Sequence, residues 1–436
     1  MKSAKQQVGL ITATSLVVGN MIGAGIYVLP AALAGYGSIS VLAWVLTALG
    51  SLVLAKIFGN FSKIVANKSG GPYIYTKEGF GDFMAFLMAW GYWISIWVGN
   101  AAIAIAAVSA FSFFIPVLKT SPMYSVLAGL TLIWFFTWIN SKGVKSSGRV
   151  QVVTTFFKIV PLLGFVIIGA FYFDSSNFPA FNLTGESDIK TVAVVATLTL
   201  YAFLGVESAT IPAENIKDPD KTVPRATLIG TILTTLVYVS ATIVLFGLVP
   251  VDALKSSPSP FAEASNIMGG DYSGYIVAAG AAVAALGALN GWVLISGQIP
   301  MAAARDRLFP RVFKKENKNE APVMGIVIGS VLSSAVMLMN YSDGLVEQFK
   351  LMTLLSTLTA LVPYLFTSAS YALILIESKA RFPRFGRNIA LAALGFSYSF
   401  WAIYGSGNDT VFYGFLLLLA GIPFYALMKY NQKKDI

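Results

Sequence analysis

Gly19-Asn20-Met21-Ile22-Gly23-Ala24-Gly25-Ile26-Tyr27-Val28-Leu29-Pro30 sits in the middle of the first apolar stretch of this chain, residues 9–33. A helix gains nothing from three glycines and an alanine there, since glycine is the weakest helix former after proline. The run therefore predicts an interruption. The sixth apolar stretch, residues 191–215, carries Tyr201-Ala202-Phe203-Leu204-Gly205-Val206-Glu207-Ser208-Ala209-Thr210-Ile211-Pro212, and Gly205 to Pro212 repeats the spacing of Gly23 to Pro30. Small residues also serve close helix packing, but their paired occurrence at equivalent places favours two breaks.

Around these breaks, apolar runs recur near residues 9–33, 38–62, 82–116, 122–141, 150–173, 191–215, 226–249, 272–303, 323–341, 350–376, 388–405 and 411–429. A helix of about 20 apolar residues crosses the hydrocarbon core. Of 436 residues, 56% are hydrophobic and 11% charged, with a mean hydropathy of +0.73; soluble domains carry roughly 25% charged residues. The expected fold is all-α and polytopic, with twelve transmembrane helices in one domain over residues 1–436. The polar segment Met1 to Gln7 leads into the first apolar run without a small-residue cleavage site, so that run reads as a retained helix rather than a signal peptide.

The net charge of +10 lies in short loops. Basic residues gather at alternate connections: Lys2 and Lys5; Lys63, Lys68 and Lys77; Lys142, Lys145 and Arg149; Lys217, Lys221 and Arg225; Arg305 to Lys318; Lys379 to Arg387; Lys429 to Lys434. Acidic residues such as Asp174, Glu186, Asp252, Glu263, Asp343 and Asp409 dominate the loops between them. The positive-inside rule then places both termini in the cytoplasm of a cell (inner) membrane protein. It also assigns the charge to orientation and membrane lipids rather than nucleic acid. The first span runs outward and the sixth inward. Residues 9–173 and 191–376 thus form two five-helix units of opposite topology, with two additional helices over 388–429, the pattern of an inverted-repeat transporter.

Neither cysteine nor histidine occurs. Disulfides, thiolate metal sites and cysteine nucleophiles are excluded, and a proton-handling step must use carboxylate, lysine or tyrosine. With no clustered carboxylates either, an enzyme is disfavoured, and no metal or cofactor is called for. A receptor is disfavoured because no extramembrane domain would read out a signal. Unwinding at mid-membrane frees backbone groups that a polar solute can satisfy. The half-helix after Gly23 would offer amides to a carboxylate, and carbonyls of the sixth span would accept from an ammonium group. Glu207, beside the second break, and Lys158 in the fifth span are ionisable residues inside the membrane, hence functional candidates. Glu207 is the candidate proton carrier and Lys158 the candidate substitute for a bound metal cation. The competing view is a structural bridge in which the two pair with each other or with carbonyls. Tyr92, Trp93, Trp97, Trp292 and Tyr364 are aromatics that would stack on a cationic or flat ligand.

These features, with Trp97-Val98-Gly99-Asn100, Gly205-Val206-Glu207-Ser208-Ala209, Gly291-Trp292 and Leu361-Val362-Pro363-Tyr364, resemble the amino acid/polyamine/organocation transporters over essentially the whole chain. Within them the chain looks like the basic amino acid/polyamine antiporters, including the arginine/agmatine exchangers. The resemblance implies a leucine-transporter-type 5+5 inverted repeat with broken helices 1 and 6. It also implies that Asn20, Ala24, Gly25 and Ile26 form the carboxylate end of the site and that Tyr201, Ala202 and Leu204 take the α-amino group. Ser95, Ile96, Asn100, Ile103, Trp292 and Ser356 would surround the side chain. Tyr92, Glu207 and Tyr364 match the family's distal gate, and Lys158 is similar to the lysine that stands for sodium in neutral amino acid members.

Tyr201 departs from the tryptophan of the arginine exchangers, and Lys158 from their small apolar residue. The expected function is a sodium-independent secondary amino acid transporter working by alternating access. It exchanges cationic amino acids and/or their amine products, with protons coupled through Glu207. The alternative is a proton-coupled symporter of neutral amino acids. Many members of the family form homodimers, so a second copy joins substrate, protons and lipid as an expected partner.

Overall fold

The computed structural model describes residues 9–23, 25–64, 71–142, 148–207, 216–339, 344–377 and 384–434. No β-strand occurs among the described residues, as a bilayer demands when every peptide group must be satisfied within its own segment. The first broken pair is α1 (Leu10–Met21) and α2 (Gly25–Ala34), followed by α3 (Ile39–Ile64) and the long α4 (Pro72–Phe111). The short α5 (Val117–Thr120) leads into α6 (Pro122–Ser141), α7 (Gly148–Gly169) and α8 (Asp188–Leu200). Then come α9 (Pro219–Leu248), α10 (Val251–Leu254), α11 (Pro260–Gly269), α12 (Asp271–Arg305) and α13 (Val323–Met339). The chain ends with α14 (Leu345–Glu377), α15 (Phe385–Gly405), α16 (Asn408–Leu419) and α17 (Gly421–Lys434).

Among the described residues, seven helices are long and apolar enough to cross a membrane alone, and the α1–α2 pair, bent by 41°, makes an eighth. The protein is a multi-pass membrane protein. Proline at the first position starts α4, α6 and α11, where a missing N–H costs nothing. From Ala85 to Ala110, α4 is apolar on all faces and buried apart from Trp90, which is the signature of a helix enclosed by others rather than facing lipid. It runs through the centre against α14 and α12, while α1 packs on α9 and α7, and α3 on α8 and α9.

Three boundaries differ from the sequence reading. The third helix begins at Pro72 rather than near residue 82. Gly81, at φ 75°, bends the path there, so residues 72–80 are a helical segment and not loop. The connection between α9 and α12 folds into α10 and α11, helices too short to stand out as apolar runs. The last apolar run is divided at Ala420 into α16 and α17.

Candidate functional site

The first break follows Met21. Ile22 leaves the helical region at ψ 88°, the Gly23 amide turns back to the Met21 carbonyl at 2.9 Å, and α2 restarts at Gly25. In the sixth apolar stretch α8 ends at Leu200. A single 3-10 turn, Tyr201–Phe203, follows, then extended Leu204 and Gly205 at φ 100°, a left-handed conformation that only glycine adopts without strain. The first interruption is present, and in the sixth stretch the chain leaves the helix just before Gly205. Ala24 and residues 208–215, which hold Ser208, Ala209 and Pro212, lie outside the described residues.

Carbonyls released by the two breaks have partners inside the protein. Lys158, only 5% exposed, crosses from α7 and donates its Nζ to the Gly19 carbonyl at 2.9 Å. Tyr238 on α9 is fully buried, its ring packed on Trp44 and Phe203. Its hydroxyl lies 2.6 Å from the Met21 carbonyl and 3.1 Å from that of Ala202, so one O–H is shared between the two breaks. The Met21 oxygen accepts from both the Gly23 amide and Tyr238, whereas a carbonyl oxygen with one such donor, as at Gly19 and Ala202, has a second lone pair for a ligand.

Between the breaks lies a small cavity of about 40 Å³. Of the residues singled out from sequence, Asn20, Gly25, Tyr92, Ser95, Ile96, Ile103, Tyr201, Ala202, Leu204, Glu207, Trp292 and Ser356 line it. One wall is formed by residues of the two breaks, with Gly25 so close to the Tyr201 ring that a Cβ would sit 3.3 Å from it. The facing wall is one stripe of α4, through Tyr92, Ser95, Ile96, Gly99 and Ile103, at helical spacing. The Tyr201 hydroxyl donates to the Gly99 carbonyl at 3.2 Å and its ring meets Phe349 edge-on, closing the cavity at that end.

At the other end Glu207 is fully buried and accepts hydrogen bonds from the hydroxyls of Tyr92 on α4 and Tyr364 on α14, the latter at 2.8 Å. The Gly205 amide also serves it. One carboxylate therefore ties the second break to two helices. Lys158 is bound to the first break rather than to Glu207, so the two buried charges are held separately.

Several expected residues stand elsewhere. Ile26 is fully buried in the core and does not line the cavity. Asn100, 1% exposed, is likewise off the wall, and its Oδ1 has no hydrogen-bond partner among the described residues. Tyr364 and Lys158 support the site from behind. Trp93 donates to the Ser296 carbonyl and packs against Phe309 and Phe313, and Trp97 is buried with it off the cavity wall. Met21, Gly23, Gly99, Ala288 and Ala360 complete the lining without having been singled out as ligand contacts. Gly23 and Gly99 were visible within quoted motifs, whereas two alanines in apolar helices give no signal. Tyr238 was missed as well.

Tyr238→Phe is expected to leave the Ala202 carbonyl without its donor and the Met21 carbonyl with the Gly23 amide alone. An unsatisfied buried group costs about 1–3 kcal/mol, so thermal unfolding should shift down by several degrees and substrate flux should fall about tenfold. Unchanged melting and flux would reduce Tyr238 to packing.

A profile of the amino acid permease family matches residues 8–425. The putrescine transporter PotE of Haemophilus influenzae is 32% identical over 435 residues, covering 99% of this chain and 99% of that protein. PotE of Escherichia coli K12 is 32% identical, covering 98% of each chain. The cadaverine/lysine antiporter of the same organism is 32% identical over 439 residues, covering 99% of this chain and 97% of that protein.

Proposed function

The chain belongs to the amino acid permease family, and from that membership we propose that it exchanges cationic amino acids and their amine products across the cell (inner) membrane by alternating access, independently of sodium. The observation that carries this reading is a cavity between the first break and the unwound segment that follows α8, with a single acidic side chain, Glu207, on its wall. A putrescine transporter and a cadaverine/lysine antiporter as full-length relatives support the choice of substrate class.

In this reading the chain crosses the membrane twelve times with both termini in the cytoplasm. Residues 9–173 and 191–376 are opposed five-helix repeats, and residues 388–429 are appended. Asn20, Gly25 and the first break hold the carboxylate end of an amino acid, the carbonyls around Tyr201, Ala202 and Leu204 receive the ammonium group, and Trp292 with the α4 stripe encloses the side chain. Glu207 takes up a proton. A neutral carboxyl group donates to one tyrosine and accepts from the other, in place of two stronger charge-assisted bonds to a carboxylate. Protonation thus loosens the tie between the second break, α4 and α14. Lys158 supplies the fixed positive charge at the first break that a sodium ion would otherwise provide.

A second reading has an observation of its own. Ile96, Ile103, Ala288 and Ala360 give the cavity an apolar lining beside Trp292, which suits a neutral side chain carried with a proton.

One experiment separates the two. Radiolabelled arginine, lysine or ornithine uptake is compared in empty proteoliposomes and in vesicles preloaded with arginine, lysine, ornithine, putrescine or alanine. Exchange predicts acceleration by cationic contents only, by about tenfold or more. Equal uptake into empty vesicles, driven by an inward proton gradient and competed by alanine, would replace it with the symporter.

A further inference from the structure

Beyond Glu207, a chain of aromatic rings continues from Tyr364 to the connection between α3 and α4. Phe58 of α3, fully buried, meets the Tyr364 ring edge-on at 5.1 Å between centroids. On its other side it stacks with Tyr75 at 6.2 Å, and Tyr75 stacks in turn on Phe61 at 4.6 Å. Phe61 packs against Tyr371 at 5.6 Å, whose hydroxyl accepts from the Asn60 carboxamide at 2.9 Å. Tyr75 belongs to residues 72–80, the segment set off from the rest of α4 by the Gly81 bend.

That segment is pinned at several points. The Ser370 hydroxyl donates to the Tyr75 carbonyl at 2.6 Å and Thr367 to the Pro72 carbonyl at 3.3 Å, both from α14. Tyr73 donates to Asp306, just past the end of α12, at 3.0 Å. Gly79 lies so tightly on α14 that a Cβ there would fall 2.9 Å from the Ser370 Cβ and 3.0 Å from its Cα. A surface loop that merely joined two spans would need none of this. Here a helical segment with a bend at one end is wedged between α3, α14 and α12, its central ring one residue removed from Tyr364.

We propose that residues 72–80 form the outer leaf of the gate whose inner leaf is Glu207 with Tyr92 and Tyr364, and that Phe58 is the positioning residue between the leaves. The outer leaf must swing about Gly81, withdrawing Tyr75 from between Phe58 and Phe61, before the cavity opens on that side. Release of Tyr364 frees the ring against which Phe58 rests, so the two leaves open in order. This rests on the alternating-access reading and on the cytoplasmic placement of the α3–α4 connection.

The absence of native cysteine makes the test direct. A single reporter, Ala360→Cys on the cavity wall, is labelled in inside-out vesicles with a membrane-impermeant maleimide, a readout that requires no knowledge of the substrate. Tyr75→Ala and Phe58→Ala should each raise the labelling rate about tenfold, and Tyr75→Phe should return it to the parent rate. The parent rate in Tyr75→Ala, in protein that elutes as the parent does, overturns the proposal.

A reversible variant covers the case in which those proteins fail to fold. Tyr73→Cys with Asp306→Cys, bridged by a short bis-methanethiosulfonate, should lose flux on bridging and regain it on reduction. Flux unaffected by the bridge overturns the proposal equally. If instead labelling responds as expected while Glu207→Gln leaves the pH dependence of transport intact, the outer leaf stands and only proton coupling through Glu207 falls.

Discussion

Glu207→Ala is expected to abolish transport, and Glu207→Gln to retain flux that no longer changes between pH 5 and 8. The side chain is fully buried and receives both Tyr92 and Tyr364. Truncation to alanine leaves two tyrosine hydroxyls without their acceptor, at about 1–3 kcal/mol each. Since 1.4 kcal/mol is a factor of ten, a loss of roughly a hundredfold follows even before any role in coupling is counted. Glutamine keeps the shape and can still bond both hydroxyls, one as acceptor and one as donor, but has no proton to take up. Exchange by purified protein in liposomes, measured across the pH range with fixed internal arginine, reads both effects. A Glu207→Gln protein with the parent's pH profile would remove the coupling role while leaving the gate.

Lys158→Ala should reduce flux by roughly ten- to a hundredfold, and added sodium should not restore it. Hydrogen bonds to charged groups contribute about 1.5–3 kcal/mol, and the Gly19 carbonyl that Lys158 serves lies at the entrance to the first break. Without the ammonium group the last turn of α1 has a free carbonyl in a dry interior, and the break loses the charge that holds it. Sodium fails to substitute because the cation here is on a tether from α7, and alanine leaves no set of oxygens to replace it. Parent-like flux in Lys158→Ala, or recovery in sodium, would instead make the position a vestigial ion site.

Much of this arrangement was legible because glycine in an apolar run is an anomaly that demands a reason. Gly23 and Gly205 announced the two interruptions, and Glu207 stood out because a carboxylate beside such a break is costly. Ser95, Ile96 and Ile103 of the α4 stripe were expected from the family resemblance, yet Asn100 and Ile26, expected on the same ground, show where that ends. Each is next to a lining glycine, Gly99 or Gly25, and one residue along a helix turns a side chain by about 100°.

Tyr238 was illegible for another reason. Nothing in Thr235-Leu236-Val237-Tyr238-Val239 distinguishes it from an ordinary packed aromatic, since its significance comes from two carbonyls 217 and 36 residues earlier in the chain. The helical segment over residues 72–80 escaped notice because its polar residues, Thr76, Lys77 and Glu78, resemble a loop when hydropathy alone is weighed.

The two faces of the central cavity differ in what inheritance can alter. The face made by the two breaks includes Gly23 and Gly25, where an added Cβ would meet Ala288 or the Tyr201 ring, while the opposite face comes from residues of α4, α12 and α14. Point mutation can therefore reshape one half of the chamber and has little purchase on the other. Single substitutions at Ile96, Ile103, Trp292 or Ser356 would alter the shape and polarity of the chamber on one side and leave the glycine-lined side as it is.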